Sequence, residues 1–350
     1  MELRVSGIRG SRATHVWTAI SRWLQEGEQS SNWIRRVAAI LLARYVTLLF
    51  LAGVVIVFAI LAPSTFMTAY NWQNILVVQA VPICMALAAL LPLLVGEFDL
   101  SLGYLAGFIA MAGAYVSGQG FDALAVIAVM GVVGLLGGVI NGILTVKFKI
   151  SSFISTLGVG IMLSGMTLGL SGGQILFTGI PALVTSLARG TFSGIAFSVW
   201  IALTIALVML YVLEHTPLGR HFYATGGSER VSHLAGVPTQ RIKMLSFAVS
   251  GLLVGVAAVF ALGTSGAASP AYGSELLLPA YAACFLGVST YRPGYYNVPG
   301  TMIAILLLGV GFNGLGILGV PFWVQPVFNG AVLLVAVLTA RAEARRVKVG

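Results

Sequence analysis

Charge is scarce in this 350-residue chain: 8% of its residues are Asp, Glu, Lys or Arg, and only ten are acidic. A soluble domain carries about a quarter charged residues, because its outer surface faces water. With 58% apolar residues and a mean hydropathy of +0.99, there is too little polar surface to coat a globule of this size, and lipid is the solvent that fits. Cysteine is almost missing. The two present, Cys84 and Cys284, both lie inside apolar runs, where small packing residues are expected rather than a disulfide or a metal pair. The four histidines (His15, His215, His221, His233) show no HExxH or other ligand spacing, so no metal centre is predicted. None of Lys147, Lys149, Lys243 or Lys348 follows a glycine, which rules out a GxxxxGK[ST] phosphate loop; ATP, if used, is bound by another subunit and the chain needs no cofactor of its own. A polytopic enzyme would want His, Asp or Glu clustered at one membrane face, and that cluster is absent. A proton- or sodium-coupled secondary transporter would want ionisable residues in mid-run, and there are almost none.

Cations outnumber acids, nineteen to ten, yet they are spread between apolar runs and build no basic face for nucleic acid. Positive-inside bias accounts for them better. The first 43 residues form a polar amino-terminal tail with six arginines and with Trp17, Trp23 and Trp33. No secretory signal is recognisable there. Its stretch from His15 to Leu24 reads equally as an amphipathic helix on the lipid surface or as an unstructured extension.

Beyond the tail, runs long enough to cross a bilayer at roughly twenty residues each are Tyr45 to Ala62, Leu76 to Val95 (interrupted by Pro82 and Pro92), Leu102 to Val116, Ala123 to Val146, Phe153 to Leu170, Ile195 to Leu213, Met244 to Leu262, Leu276 to Val288, Gly300 to Phe312 and Phe322 to Ala340. The third, eighth and ninth are short enough to be tilted or broken. Placing the amino terminus in the cytoplasm and alternating ten spans puts eighteen of the nineteen Lys and Arg inside, with Arg189 alone outside. A wrong count would scramble that segregation, because each missed helix inverts everything after it. The expectation is an all-α integral membrane protein of about ten transmembrane helices with both termini cytoplasmic. The abundant glycine, 43 residues, suits close helix packing. The divisions are 1–43 tail, 44–213 helices one to six, 214–243 cytoplasmic loop, 244–340 helices seven to ten, and 341–350 tail.

Three places invite a functional reading. The loop carries Arg220, Glu229, Arg230, Arg241 and Lys243 with a break at Gly226–Gly227. Ser228 can cap a short helix from Glu229 to about Leu234, which either docks on a soluble partner or is simply solvated against lipid headgroups. Between the second and third runs, Gly96 to Gly103 is a break in which Asp99 or Ser101 can cap the next helix; the rival reading puts Glu97 and Asp99 on a transport path. Within runs, Gln79, Asn141, Thr156 and Asn313 each need a hydrogen-bonding partner, and serve as interhelical glue or as a polar path for an uncharged, hydroxyl-rich solute.

These places are also where the chain resembles a known family. Gly96-Glu97-Phe98-Asp99-Leu100-Ser101-Leu102-Gly103 resembles the Gly-Gly-Ile-Asp-Leu-Ser-Val-Gly of ribose-type sugar ABC importer permeases, with Glu97-Phe98 replacing Gly-Ile. The loop Leu218-Gly219-Arg220, Tyr223-Ala224-Thr225-Gly226-Gly227-Ser228-Glu229, Ala235-Gly236-Val237 and Arg241-Ile242-Lys243 is similar to that family's LGR-x-x-YA-x-GGN-E…SGI…R-x-K. Asn313-Gly314-Leu315 with Leu318-Gly319-Val320-Pro321-Phe322-Trp323 makes a third match, and Asn141-Gly142 and Phe153-Ile154-x-Thr156-Leu157-Gly158 fall between in order. The resemblance implies a type II-like permease of a bacterial inner membrane with two inverted-topology halves, and a second permease subunit forming one pathway with it. It further implies a cytoplasmic ATPase seated on the loop helix, with Arg220, Gly226, Gly227, Glu229, Arg230, Leu234 and Gly236 in the coupling region, and an extracytoplasmic binding protein that largely sets specificity. The solute is expected to be a simple sugar, with branched-chain amino acids or nucleosides as the related alternative.

Overall fold

The computed structural model of the chain describes residues 33–321 and, with gaps, positions as far as 334; side chains are described at Tyr45 and from Thr47 onward. The tail reading at His15 to Leu24, about half of the last apolar run and the carboxy-terminal tail lie outside these residues.

The described chain is helical apart from one two-residue hairpin, Thr191–Phe192 with Ile195–Ala196. In order, the helices are α1 (Trp33–Leu61), α2 (Pro63–Phe66), α3 (Ala69–Leu94), α4 (Leu102–Gly118), α5 (Ala123–Gly142, continued as a π turn Ile143–Lys147), α6 (Ser152–Ser171), α7 (Ala182–Arg189), α8 (Phe197–His215), α9 (Pro217–Gly227), α10 (Glu229–Leu234), α11 (Thr239–Ser265), α12 (Ser274–Gly287) and α13 (Val298–Ile317). Six of them, α3, α5, α6, α8, α11 and α13, are long and apolar enough to cross a membrane. The apolar part of α1 from Thr47 on, α4 and α12 are shorter. The ninth apolar run is thus a full-length helix, whereas the third and eighth are short.

Side-chain caps mark several starts. Thr68 accepts from the Asn71 amide, Asp122 from that of Ala125, and Asn297 from that of Gly300, each satisfying an orphan N–H of a first turn. Pro82 and Pro92 do not interrupt their run; α3 passes through both. A proline there deprives the carbonyl four residues back of its donor. For Pro92 that carbonyl is Ala88 O, and Ser250 Oγ of α11 donates to it at 2.8 Å. The neighbouring Ala86 O takes Cys284 Sγ of α12 at 3.3 Å. A backbone group freed by proline is thus satisfied here by a neighbouring helix.

α3 and α11 are the enclosed centre, and their residues dominate the principal core. α11 packs on α5 through glycines at four-residue spacing. A Cβ on Gly134 would lie 2.4 Å from Gly251 O, and one on Gly138 2.1 Å from Phe247 O, so the two backbones touch as only small residues permit. A smaller cluster of Phe58, Phe66, Ile75 and Val310 fastens α1 and α2 to α3 and α13. Large aliphatic residues such as Ile60, Leu136, Ile161 and Leu207 remain exposed on the outer helix faces, a surface made for lipid or a partner helix.

The connections sort into two ends. One joins Glu97 to Lys243 and Glu229, and Glu214 to Arg292 at 2.5 Å. The other joins Leu176 to Ala268, Asn71 to Asn313 and the Arg189 guanidinium to Thr264 O. Two connections leave their end and enter the bundle. Gly96 (φ +81) and Gly273 (φ +103) turn the backbone in the left-handed region, which glycine adopts without strain. The chain then descends to meet its counterpart: a Cβ on Gly103 would lie 2.7 Å from Gly273 O, and one on Gly107 2.3 Å from Tyr272 O. α4 and α12 start from these inner points, which is why they are short. Irregular backbone at such depth is tolerated because it is buried in protein.

Candidate coupling and translocation site

The break before α4 is held from three directions. The Phe98 amide donates to Ser152 Oγ at 3.2 Å, and the Leu100 amide to Thr156 Oγ1 at 2.9 Å. Tyr281 of α12 closes on the backbone of Asp99, accepting from its N–H at 2.8 Å and donating to its carbonyl at 2.9 Å. The Asp99 side chain is fully buried. Its Oδ1 accepts from the Ser101 amide at 3.0 Å and from Ser101 Oγ at 2.6 Å, and Asn141 Nδ2 donates to both carboxylate oxygens at 3.2 and 3.3 Å. Such donors offset the desolvation of a buried carboxylate that has no cation beside it. Asp99 therefore forms a turn with Ser101 instead of capping further into α4. Ser101 occupies the N-cap position but has no side-chain cap bond, its hydroxyl being directed to Asp99.

The four polar residues expected inside spans divide into two pairs. Asn141 and Thr156 belong to the break. Gln79 and Asn313 line a cavity of about 910 Å³ between α3, α11, α12 and α13, together with Thr264, Tyr272, Ser274 and Glu275. That volume lies within the range of small-molecule sites. Asn313 exchanges a reciprocal amide pair with Asn71, at 2.9 and 3.0 Å, so its amide is already engaged by the protein. Gln79 differs. Its side chain occupies the space left by Gly309, and its Oε1 is buried without a hydrogen-bond partner in the protein, as is Oδ1 of Asn141. Cys84 and Cys284 are buried, unpaired packing residues.

At the other end of the molecule, α9 and α10 form the polar loop. Thr216 accepts from Gly219 and Pro217 opens α9. Tyr223 OH donates to Tyr296 O at 3.0 Å; burial first, then the Glu214 charge, pushes its phenol up to about 12, so it remains a neutral donor. Gly226 is a point of contact: a Cβ there would lie 2.0 Å from Leu94 O, at the end of α3. The expected bend at Gly226–Gly227 is not made by these glycines, which complete the last turn of α9. Ser228 makes it, extended at φ −163, ψ 104, with its side chain accepting from Val231 at the start of α10. Gly236, at φ +86, turns the chain out of α10. Ser232 Oγ ties α10 back to Ala224 O at 2.7 Å. Val231 and Leu234 face outward, 65% and 80% exposed, and Arg220 and Arg230 are exposed beside them. Glu229 is committed within the chain, paired with Lys243 at 2.6 Å.

A family model described as the permease component of the branched-chain amino acid transport system matches residues 71–337, spanning the cavity, the break and the loop. The chain belongs to this permease family. Its members are transporter components and not enzymes. Among curated proteins, the permease is 32% identical over 295 residues to the ribose import permease protein RbsC of Escherichia coli K12, covering 83% of this chain and 92% of that one. RbsC of Bacillus subtilis is 34% identical over 294 residues, covering 83% and 90%. The D-allose transport system permease protein AlsC of Escherichia coli is 29% identical over 299 residues, covering 85% and 91%. No solved structure matches. Lys243 and Tyr281 organise this permease's loop and break, Ser250 supports α3 at Pro92, and sequence reasoning had given none of them a role. The pattern R-x-K at Arg241-Ile242-Lys243 was the one signal available for Lys243. Tyr281 and Ser250 carried none, since each acts on the backbone of a distant segment.

Proposed function

We propose that this permease is the transmembrane subunit of a bacterial ATP-binding-cassette importer for a simple sugar, working by alternating access under a separate ATPase. The observation that carries the reading is identity of 32–34% to ribose import permeases across 83% of the chain. The cavity agrees with it: beside its apolar wall it presents the amides of Asn74 and Gln325 and the hydroxyls of Thr264, Tyr272 and Ser274, groups suited to a solute rich in hydroxyls. α10 is the docking element for the ATPase, presenting Val231, Leu234 and Arg230 on a helix outside the spans. The extracytoplasmic binding protein delivers solute to the opposite face, and a second permease subunit completes the pathway.

The architecture proposed is ten spans in two inverted halves, the first beginning at α3 and the second at α11. Its support is a repeated order of elements. In each half a long central helix is followed by an inward break with a left-handed glycine, then a short helix and a long one. α5 lies on α11 as α13 lies on α3. Inverted repeats meeting at broken segments are a recurrent transporter design. The loop end faces the cytoplasm in this arrangement and the Arg189 end faces outward, which puts both termini inside.

Two measurements bear on this. Proteoliposomes holding the permease with its ATPase and binding protein should accumulate labelled ribose only when ATP is enclosed. Uptake that survives ATP depletion would sink the reading. For orientation, a cysteine at Arg189 should react with an impermeant maleimide on spheroplasts, while one at Arg230 should react only after permeabilisation; the reverse pattern would overturn the sidedness.

A further inference from the structure

Lys243 stands between two carboxylates. Its Nζ lies 2.6 Å from Glu97 Oε1 and 2.6 Å from Glu229 Oε2. The Lys243 and Glu97 side chains are nearly enclosed, at 12% and 16% exposure, whereas Glu229 is half open at 50%. The three residues come from three elements. Glu229 is the first residue of α10, Lys243 sits in the second turn of α11, and Glu97 belongs to the inward break before α4. From Glu97 the chain passes within two residues to Asp99, which Tyr281, Ser101 and Asn141 hold. One cation therefore joins the surface helix to the segment that enters the bundle and meets α12.

We infer that the Glu229–Lys243–Glu97 bridge makes Lys243 a positioning residue for transport, coupling displacement of α10 to the inward break and hence to the opening of the cavity. The inference rests on the reading of α10 as the ATPase-docking helix. Three features argue for it. Among the described residues, the other side-chain hydrogen bond from α10 to another element runs to α9, from Ser232 to Ala224 O, so Lys243 is the charged link between α10 and the break. The break in turn is held by side chains of α6 and α12, so a shift at Glu97 reaches α12, which forms one wall of the cavity. Glu97, finally, stands where the resembled pattern has glycine, so the inner arm of the bridge belongs to this chain and not to the general motif. Coupling of this kind requires an element whose position both ends bias, and a cation shared by two carboxylates supplies it: removing the cation leaves two acidic groups facing each other, one of them nearly buried.

The test uses the complete importer in proteoliposomes and reads ATP hydrolysed per sugar imported. Lys243→Met and Glu97→Gln should each raise that ratio by roughly fivefold, the lower end of ordinary coupling between sites, while Lys243→Arg keeps it near the unaltered value because the charge is retained. Glu97→Gln is isosteric and carries the test alone if Lys243→Met does not assemble. Hydrolysis and import falling in parallel, with an unchanged ratio, would mean a merely structural bridge and overturn the inference. Absence of ATP-dependent uptake by the unaltered complex would overturn the underlying function and the inference with it, and is distinguishable because it is seen before any variant is compared.

Discussion

Gly138→Ala, the addition of one methyl group, should cost this permease about 2–3 kcal/mol of stability, near the upper part of the range for overpacking. The new Cβ would lie 2.1 Å from Phe247 O and 2.9 Å from Phe247 C. Both are backbone atoms of α11 and cannot rotate away, so the helices must separate along the whole contact, through Gly134 and Gly251 as well. In lipid that separation is not repaid by a hydrophobic gain elsewhere, since close van der Waals packing is what held the pair together. Thermal unfolding followed by size-exclusion chromatography should show a midpoint lower by roughly 3–4 °C. Gly158→Ala is the matched control: its Cβ would meet nothing within 4 Å, and the same methyl should improve helix propensity slightly. Equal midpoints for the two variants would refute the account of α5 against α11.

Leu234→Asp should abolish ATPase capture while leaving the permease folded. Leu234 is 80% exposed at the end of α10, so the folded chain alone loses little when it changes. If α10 docks on the ATPase as proposed, the same side chain is its apolar anchor, and loss of such an anchor costs about 2 kcal/mol or more, roughly thirtyfold in affinity. Co-isolation with the ATPase and ATP-driven uptake should fall together, with the thermal midpoint of the isolated permease unchanged. Normal ATPase binding by this variant would remove α10 from the interface.

Much of this was legible beforehand because its causes are local. A long apolar run must be helical in lipid whatever surrounds it, so the helices could be read to within a few residues at most ends. Ser228 before Glu229 marked a helix start for the same reason, since a cap acts within one turn. Prolines misled. Pro82 and Pro92 looked like breaks, but Ser250, 158 residues further along the chain than Pro92, supplies the donor that Ala88 O lacks. Gly226–Gly227 misled in the opposite sense. The pair resembled a hinge, yet Gly226 is small because the backbone of Leu94 lies against it.

The sequence by itself determined the solvent, the helical class, the absence of a phosphate loop and the motifs that tie the chain to its family, because each of these is set by composition or by neighbours within a few positions. Only the tertiary structure decided what each polar residue does. Gln79 and Asn141 are alike as amides inside apolar runs; one lines a cavity and packs against Gly309, and the other is spent on Asp99 and Ser101. Scarcity of charge shows the same division. Counting showed that charges were few and which connections held them, but pairing depends on positions brought together from across the chain, and only folding joined Glu97 and Glu229 through Lys243.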